Sequence, residues 1–268
     1  AEKMSTVGKY IYAAEGREQP LYYLEGGSGW PVLLLHGWGC SSETMQPVFR
    51  HLEADFHVYN FDLPGFGLSP EPPAAWDTAA YAALLAEFIQ KNCAQPPVLV
   101  AHSFGGRLSL RLAAQGVPHK MILTGCAGLK AHRGLDYYAK VYSYKAAKKL
   151  LSLPGLRGQR EELLNKAKAK SGSADYRQAS DVMRAVFVKT VNEDQTPNLS
   201  QVQAPTILFW GGQDTATPLS DGRLMEAKMR DAALIVKPDG SHFAFLEFLP
   251  EFLAIIDSFL KPEKAAGC

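Results

Sequence analysis

One serine in this chain has neighbours that suit a nucleophile. It lies in the stretch Val98-Leu-Val-Ala-His-Ser-Phe-Gly-Gly, residues 98–106. Small and β-branched apolar residues, Val98 to Ala101, end at the polar pair His102-Ser103. Gly105 and Gly106 follow, and then a helix-like stretch over Arg107–Gln115. A strand that turns sharply into a helix around one serine lifts the hydroxyl clear of its own backbone. Such a turn needs small neighbours two residues away on each side, here Ala101 and Gly105. The serine then stands at a helix N-terminus, where backbone N–H groups can meet a developing negative charge. The string alone is weak evidence: average composition gives a small-x-Ser-x-Gly pattern in about one chain in six of this length. An ordinary N-capping serine fits the same place. A nucleophilic serine needs a base, an acid to orient that base, and an oxyanion hole.

The elements that must position those groups follow from hydrophobic pattern. Strand candidates are Tyr10–Ala14, Leu21–Glu25, Val32–Leu35, His57–Phe61, Val98–Ala101, Met121–Thr124, Ile207–Trp210 and Leu234–Lys237. The first two read as an antiparallel pair. Several of the others are apolar at every position, as in strands covered on both faces. Helix-like segments separate them at Glu43–Glu53, Thr78–Lys91, Arg107–Gln115, Leu219–Met229 and Glu251–Leu260. This alternation predicts an α/β fold with a doubly wound, mostly parallel sheet.

The alternation stops between about Leu129 and Gln203. Three amphipathic helical stretches fill the gap, near Leu135–Leu151, Glu161–Lys170 and Ala174–Val191, punctuated by Pro154-Gly155 and Ser171-Gly172-Ser173. The pattern predicts a core of residues 1–128 and 204–268 with an inserted helical cap at 129–203. From Leu129 to Leu199 the chain carries 14 Lys/Arg and 7 Asp/Glu, while the remainder carries 14 and 20. A basic lid could attract anionic substrates. Solvated helix faces give the same count. Tyr137, Tyr138, Tyr142 and Tyr144 could line a pocket beneath the cap or pack it onto the core.

Bulk properties narrow the classes. A chain of 268 residues suits one large domain with an insertion. A net charge of +1 lacks the signature of a nucleic-acid binder. No run approaches a membrane span, and residues 1–16 hold no continuous apolar core, so neither a membrane anchor nor a secretory signal is expected. Cys40, Cys93, Cys126 and Cys268 show neither CxxC nor metal-like spacing. They predict thiols in a reducing, cytoplasmic setting.

Ligands of open α/β sheets bind at the carboxyl ends of the strands. Five polar loops fall there: His36-Gly37-Trp38-Gly39, the loop from Asp62 to Ser69, Ser103, Gly211-Gly212-Gln213-Asp214, and the loop from Pro238 to Phe243. They offer Ser, Asp and His in that chain order. Asp62, before Pro-Gly-Phe-Gly, reads as a turn cap with a minor claim to be the acid. Asp239 lies too close to His242 to orient it easily. Gly125-Cys126-Ala127 offers no carboxylate.

With these motifs in order, the chain resembles the α/β-hydrolase family, and within it the capped, serine-esterase branch. The resemblance runs from the opening hairpin to the last helix. It implies a central sheet of about eight strands with helices on both faces. It puts the nucleophile on Ser103, the acid on Asp214 and the base on His242. His36-Gly37 falls on the oxyanion loop, and the two oxyanion donors are the backbone N–H groups of Trp38 and Phe104. The implied activity is hydrolysis of a small to medium carboxylic ester through an acyl-enzyme, with no metal or organic cofactor. His102, Tyr137 and Phe243 are candidate substrate contacts. His36 is expected to order its loop by hydrogen bonding, and His51, His119 and His132 to lie at the surface. Carbon–carbon hydrolases of the family carry Asn before the nucleophile and Trp after the histidine, where this chain has His102 and Phe243. The same resemblance leaves open amide or peptide hydrolysis, and binding of a small ligand without catalysis.

Overall fold

The apolar runs form one sheet. A computed structural model of the protein describes residues 5–130 and 178–267. The strands are β1 (Thr6–Ala14), β2 (Arg17–Gly26), β3 (Pro31–Leu35), β4 (His57–Asp62), β5 (Val98–His102), β6 (Lys120–Thr124), β7 (Thr206–Gly211) and β8 (Ala232–Lys237). All eight share a sheet in the order β1-β2-β4-β3-β5-β6-β7-β8. β1 and β2 pair antiparallel, β2 meets β4 antiparallel, and every later pairing is parallel. The opening hairpin is longer than its apolar pattern suggests, because exposed residues extend the pairing at both ends: Lys9 opposite Tyr22 away from the turn, and Glu18 opposite Ala13 beside the tight turn at Glu15-Gly16.

Alternate residues of each central strand point to opposite faces. Leu33, Leu35, Leu99, Ala101, Met121 and Leu123 meet helices α2 (Thr78–Asn92) and α3 (Phe104–Ala114) on one side. Val32, Leu34, Val58, Val98, Val100 and Ile122 meet α1 (Gln46–Leu52) on the other. Both faces are dry, which is why these strands read as unbroken apolar runs.

Helix boundaries depart from the hydrophobic pattern where local chemistry intervenes. The segment Glu43–Glu53 splits into a 3-10 turn, Ser42–Met45, and α1, since Pro47 lacks the N–H a continuous helix needs. α3 starts at Phe104, three residues before Arg107. Its first turn includes both glycines, where a Cβ would meet Leu35 O at 2.3 Å on Gly105 and Cys126 Sγ at 2.4 Å on Gly106. They serve close packing rather than a loop. Of the expected cap helices, the last is present as α4 (Asp181–Asn192), capped by Ser180, which accepts from Met183 N at 3.2 Å. The stretches Leu135–Leu151 and Glu161–Lys170, with Tyr137, Tyr138, Tyr142, Tyr144 and His132, lie outside the described residues. Glu193, just past α4, accepts hydrogen bonds from Thr78 of α2 and Arg111 of α3, which ties α4 to the core. The remaining helices are α5 (Leu219–Lys228), α6 (Ala244–Glu247), α7 (Leu249–Phe259) and α8 (Lys261–Ala266). Among the described residues no helix is long and apolar enough to cross a membrane.

β3 lies between β4 and β5, so the chain leaves it once to each side. The carboxyl ends of β3 and β5 therefore flank a topological switch point, where open α/β sheets form crevices.

Candidate active site

Ser103 follows β5 directly, and its backbone is the sharpest feature of the crevice. It has φ 50° and ψ −107°, a conformation that a side chain with a Cβ adopts only under constraint. Hydrogen bonds supply that constraint. Ser103 N–H donates to Thr124 O at 3.1 Å, and its carbonyl accepts from Gly106, Arg107 and Ala127. The side chain stands outside this network: Ser103 makes no capping bond to α3.

Asp214 ends the loop after β7, and His242 lies in the loop after β8. The loops are drawn together by backbone contacts. Gly212 N–H donates to Lys237 O at 2.8 Å, and Gln213 N–H to Gly240 O at 2.9 Å. A Cβ on Gly211 would collide with Ser241 O at 2.2 Å, so only glycine permits this approach. The result is a hydrogen bond from His242 Nδ1 to Asp214 Oδ2 at 2.8 Å, with the carboxylate fully buried. With Nδ1–H donated to the carboxylate, the His242 Nε2 lone pair is left available.

Thr217 completes the carboxylate's shell. Its hydroxyl contacts Asp214 Oδ2 at 2.9 Å and Gly125 O at 3.0 Å. The N–H groups of Ala216 and Thr217 both donate to Asp214 Oδ1 at 2.9 Å. Burial pushes the Asp214 pKa up, but the bonds from His242 and Thr217 outweigh it and hold the carboxyl below its ordinary range.

The loop after β3 supplies the opposite wall. His36 Nε2 accepts from Leu63 N–H at 3.0 Å, and its Nδ1–H donates to Gly37 O at 2.7 Å. This single neutral ring joins the loops after β3 and β4, as the ordering role expected of it requires. Burial lowers its pKa to about 4. Among the described residues, the backbone N–H groups of Trp38 and Phe104 have no hydrogen-bond acceptor. The Trp38 ring packs edge-on against Phe66, Phe104 and Phe187.

Ser103, His242, Trp38, Phe104, His102 and Phe243 line one cavity of about 600 Å³. Six of the seven described site candidates thus share it, and the seventh, Asp214, lies directly behind His242. Tyr137 is outside the described residues. His102 is 1% exposed. Its Nε2–H donates to His242 O at 2.9 Å, and its ring lies 4.6 Å from that of His242. Burial, then the neighbouring His242, lowers its pKa to about 3. Asp62 spends its carboxylate on the N–H groups of Ser42 and Leu68, the turn cap that its sequel suggests. His51 and His119 are half-exposed and paired with Asp257 and Glu263.

Two residues of the site do not stand out in the sequence pattern. Thr217 carries a signal in Asp214-Thr-Ala-Thr, an Asp followed by residues able to close an Asx turn. Arg107 carries one in its spacing, four residues after Ser103 and on the same helix face.

A model described as the alpha/beta hydrolase family matches residues 32–254. This chain belongs to the alpha/beta hydrolase family. Among its relatives is a pimeloyl-[acyl-carrier protein] methyl ester esterase of Chromobacterium violaceum, 26% identical over 88% of this chain and 96% of the relative. Among solved structures, an esterase from Thermogutta terrifontis superposes with a TM-score of 0.73 at 22% identity, covering 97% of this chain and 99% of the other. A meta-cleavage product hydrolase, CumD, superposes with a TM-score of 0.68 at 18% identity, covering 94% and 98%. The fold is therefore shared by proteins named as an esterase and as a meta-cleavage product hydrolase.

Proposed function

We propose that this alpha/beta hydrolase is a serine esterase, cleaving small to medium carboxylic esters through an acyl-enzyme on Ser103. The observation that carries the reading is the buried Asp214–His242 hydrogen bond on the cavity that also holds the constrained Ser103. Ser103 Oγ attacks the ester carbonyl carbon as His242 Nε2 takes its proton. Asp214 holds the imidazole in the required tautomer and stabilises the imidazolium. The tetrahedral oxyanion takes hydrogen bonds from the N–H groups of Trp38 and Phe104, donors without an acceptor among the described residues. The C–O bond breaks, His242 protonates the departing alcohol, and the acyl group stays on Ser103. Water then adds to that acyl group with His242 as base, releasing the acid and restoring the serine.

Residues 129–203 act as a cap over this cavity, with α4 the part that docks on α2 and α3. Phe243 and Tyr137 contact substrate, and His102 holds the backbone of the base from behind. The methyl ester named for the Chromobacterium relative supports a small leaving alcohol. A cytoplasmic setting belongs to the same proposal and is supported by the cysteine spacing and by the buried Cys126 and half-buried Cys93. Burial pushes the Cys93 thiol up to about 11 and raises that of Cys126 as well. The test is turnover of p-nitrophenyl acetate and of simple methyl esters. The wild type should hydrolyse them and Ser103→Ala should not; undiminished turnover in Ser103→Ala would remove the proposal.

A further inference from the structure

Arg107 is a charged group buried on the cavity wall with most of its donors unused among the described residues. It is 7% exposed and lines the same 600 Å³ cavity as Ser103. A guanidinium carries five N–H donors. Here the side chain makes one hydrogen bond among the described residues, from Nη1 to Glu193 O at 3.4 Å, which is long. The nearby carboxylates are engaged elsewhere. Glu193 accepts from Arg111 and Thr78, and Asp194 accepts from the Thr196 N–H and hydroxyl. Asp221 lines the cavity as well and acts on Arg107 through space, with no ion pair between the two among the described residues. A buried charge without a close partner is costly, and such groups are normally paired. Arg107 stands one turn into α3 from Ser103, and both residues line the same cavity.

We propose that Arg107 is a binding residue for a carboxylate on the substrate, so that the ester this site takes carries a second, anionic end separated from the scissile carbonyl by a short chain. The inference rests on the esterase reading and adds a substrate class to it. A planar guanidinium matches a carboxylate with two parallel hydrogen bonds, which fixes orientation as well as affinity. The fold has already desolvated the arginine, so the complex need not do so again. Burial lowers the Arg107 pKa from its ordinary value, yet an arginine stays charged, and a bound carboxylate would supply a close counter-charge. Phe187 and Leu129 on the same wall suit the aliphatic spacer. Attraction by the net positive charge of residues 129–199 is a different mechanism, and salt separates the two. A buried pair is screened far less than exposed charges.

The test uses monomethyl succinate, glutarate and adipate, each paired with the methyl ester of the monocarboxylic acid of equal chain length. The readout is the ratio of kcat/KM within a pair. The wild type should favour the carboxylated ester by about tenfold or more at one chain length. In Arg107→Met that ratio should fall by about 10- to 100-fold, and Arg107→Lys should keep part of it. A wild type that prefers the neutral ester at every length overturns the proposal. So does a ratio that Arg107→Met leaves unchanged, or one that vanishes in high salt. Should Arg107→Met fail to fold, full-length Ser103→Ala titrated with glutarate and with pentanoate decides. Glutarate binding about tenfold tighter supports the anchor, and equal affinity refutes it. Lack of turnover on every ester would instead refute the esterase reading, and the titration would still answer for Arg107.

Discussion

The loops after β7 and β8 spend their hydrogen-bonding groups on one another, whereas the turns after β3 and β5 each leave one backbone N–H without an acceptor among the described residues. Asp214 receives four hydrogen bonds, from His242, the Thr217 hydroxyl and two backbone N–H groups. Across the crevice, the amides of Trp38 and Phe104 have no acceptor among the described residues, and Ser103 holds a strained backbone. Buried polar groups are normally satisfied, so donors left open on one wall mark where a ligand oxygen belongs. The satisfied wall serves another need, because a base that hands over a proton must hold one tautomer and one orientation. In the proposed mechanism one side of the crevice stays fixed, and the reaction completes the other.

Substitutions can break this contrast on either side. On the proposed mechanism Ser103→Ala or His242→Ala removes a reacting group and should lower kcat for a simple ester by about 10⁶, read as residual turnover at saturating substrate. Asp214→Asn keeps the shape but favours the wrong imidazole tautomer. Its expected loss is about 10⁴ in kcat, with the Ser103 backbone unchanged by structure determination. Thr217→Val preserves volume and deletes one of the carboxylate's partners. It should cost about tenfold in kcat with a smaller change in KM, and Thr217→Ser should recover most of it.

His102 is read in stability rather than in rate. The folded ring is neutral down to about pH 3, whereas an unfolded histidine protonates near 6.5. Between those values the unfolded chain binds more protons, so stability rises with pH. The contribution is complete above about 6.5 and is lost as pH falls towards 3, at up to about 1.4 kcal/mol per pH unit. His102→Asn should flatten urea-denaturation stability against pH over that window. The slope that remains includes His36, whose folded pKa is about 4. An unchanged slope in His102→Asn would mean that the ring is not held neutral.

What can be read from sequence follows the same division. The central strands are legible because burial on both faces writes them as unbroken apolar runs, as in Val32–Leu35 and Val98–Ala101. Residues at strand ends are legible because parallel topology sends those ends to one rim. Ser103, Asp214 and His242 therefore stand out from the chain alone. The backbone constraint at Ser103 does not, since it depends on Thr124 and Ala127, far along the chain. The packing role of Gly105 is hidden as well, because its reason is the approach of Leu35. Arg107 reads as the polar start of a helix. Only burial beside Ser103, with its neighbouring acids engaged, distinguishes it from a solvated arginine.

Covalent capture tests whether Ser103 is the one serine that this crevice activates. The native protein is treated with a fluorophosphonate, its intact mass is measured, and the labelled peptide is mapped. A single adduct per chain is expected on Ser103, absent from Ser103→Ala and much slower to form in His242→Ala. A label on another serine, or turnover of esters by a wild type that takes no label, would contradict it.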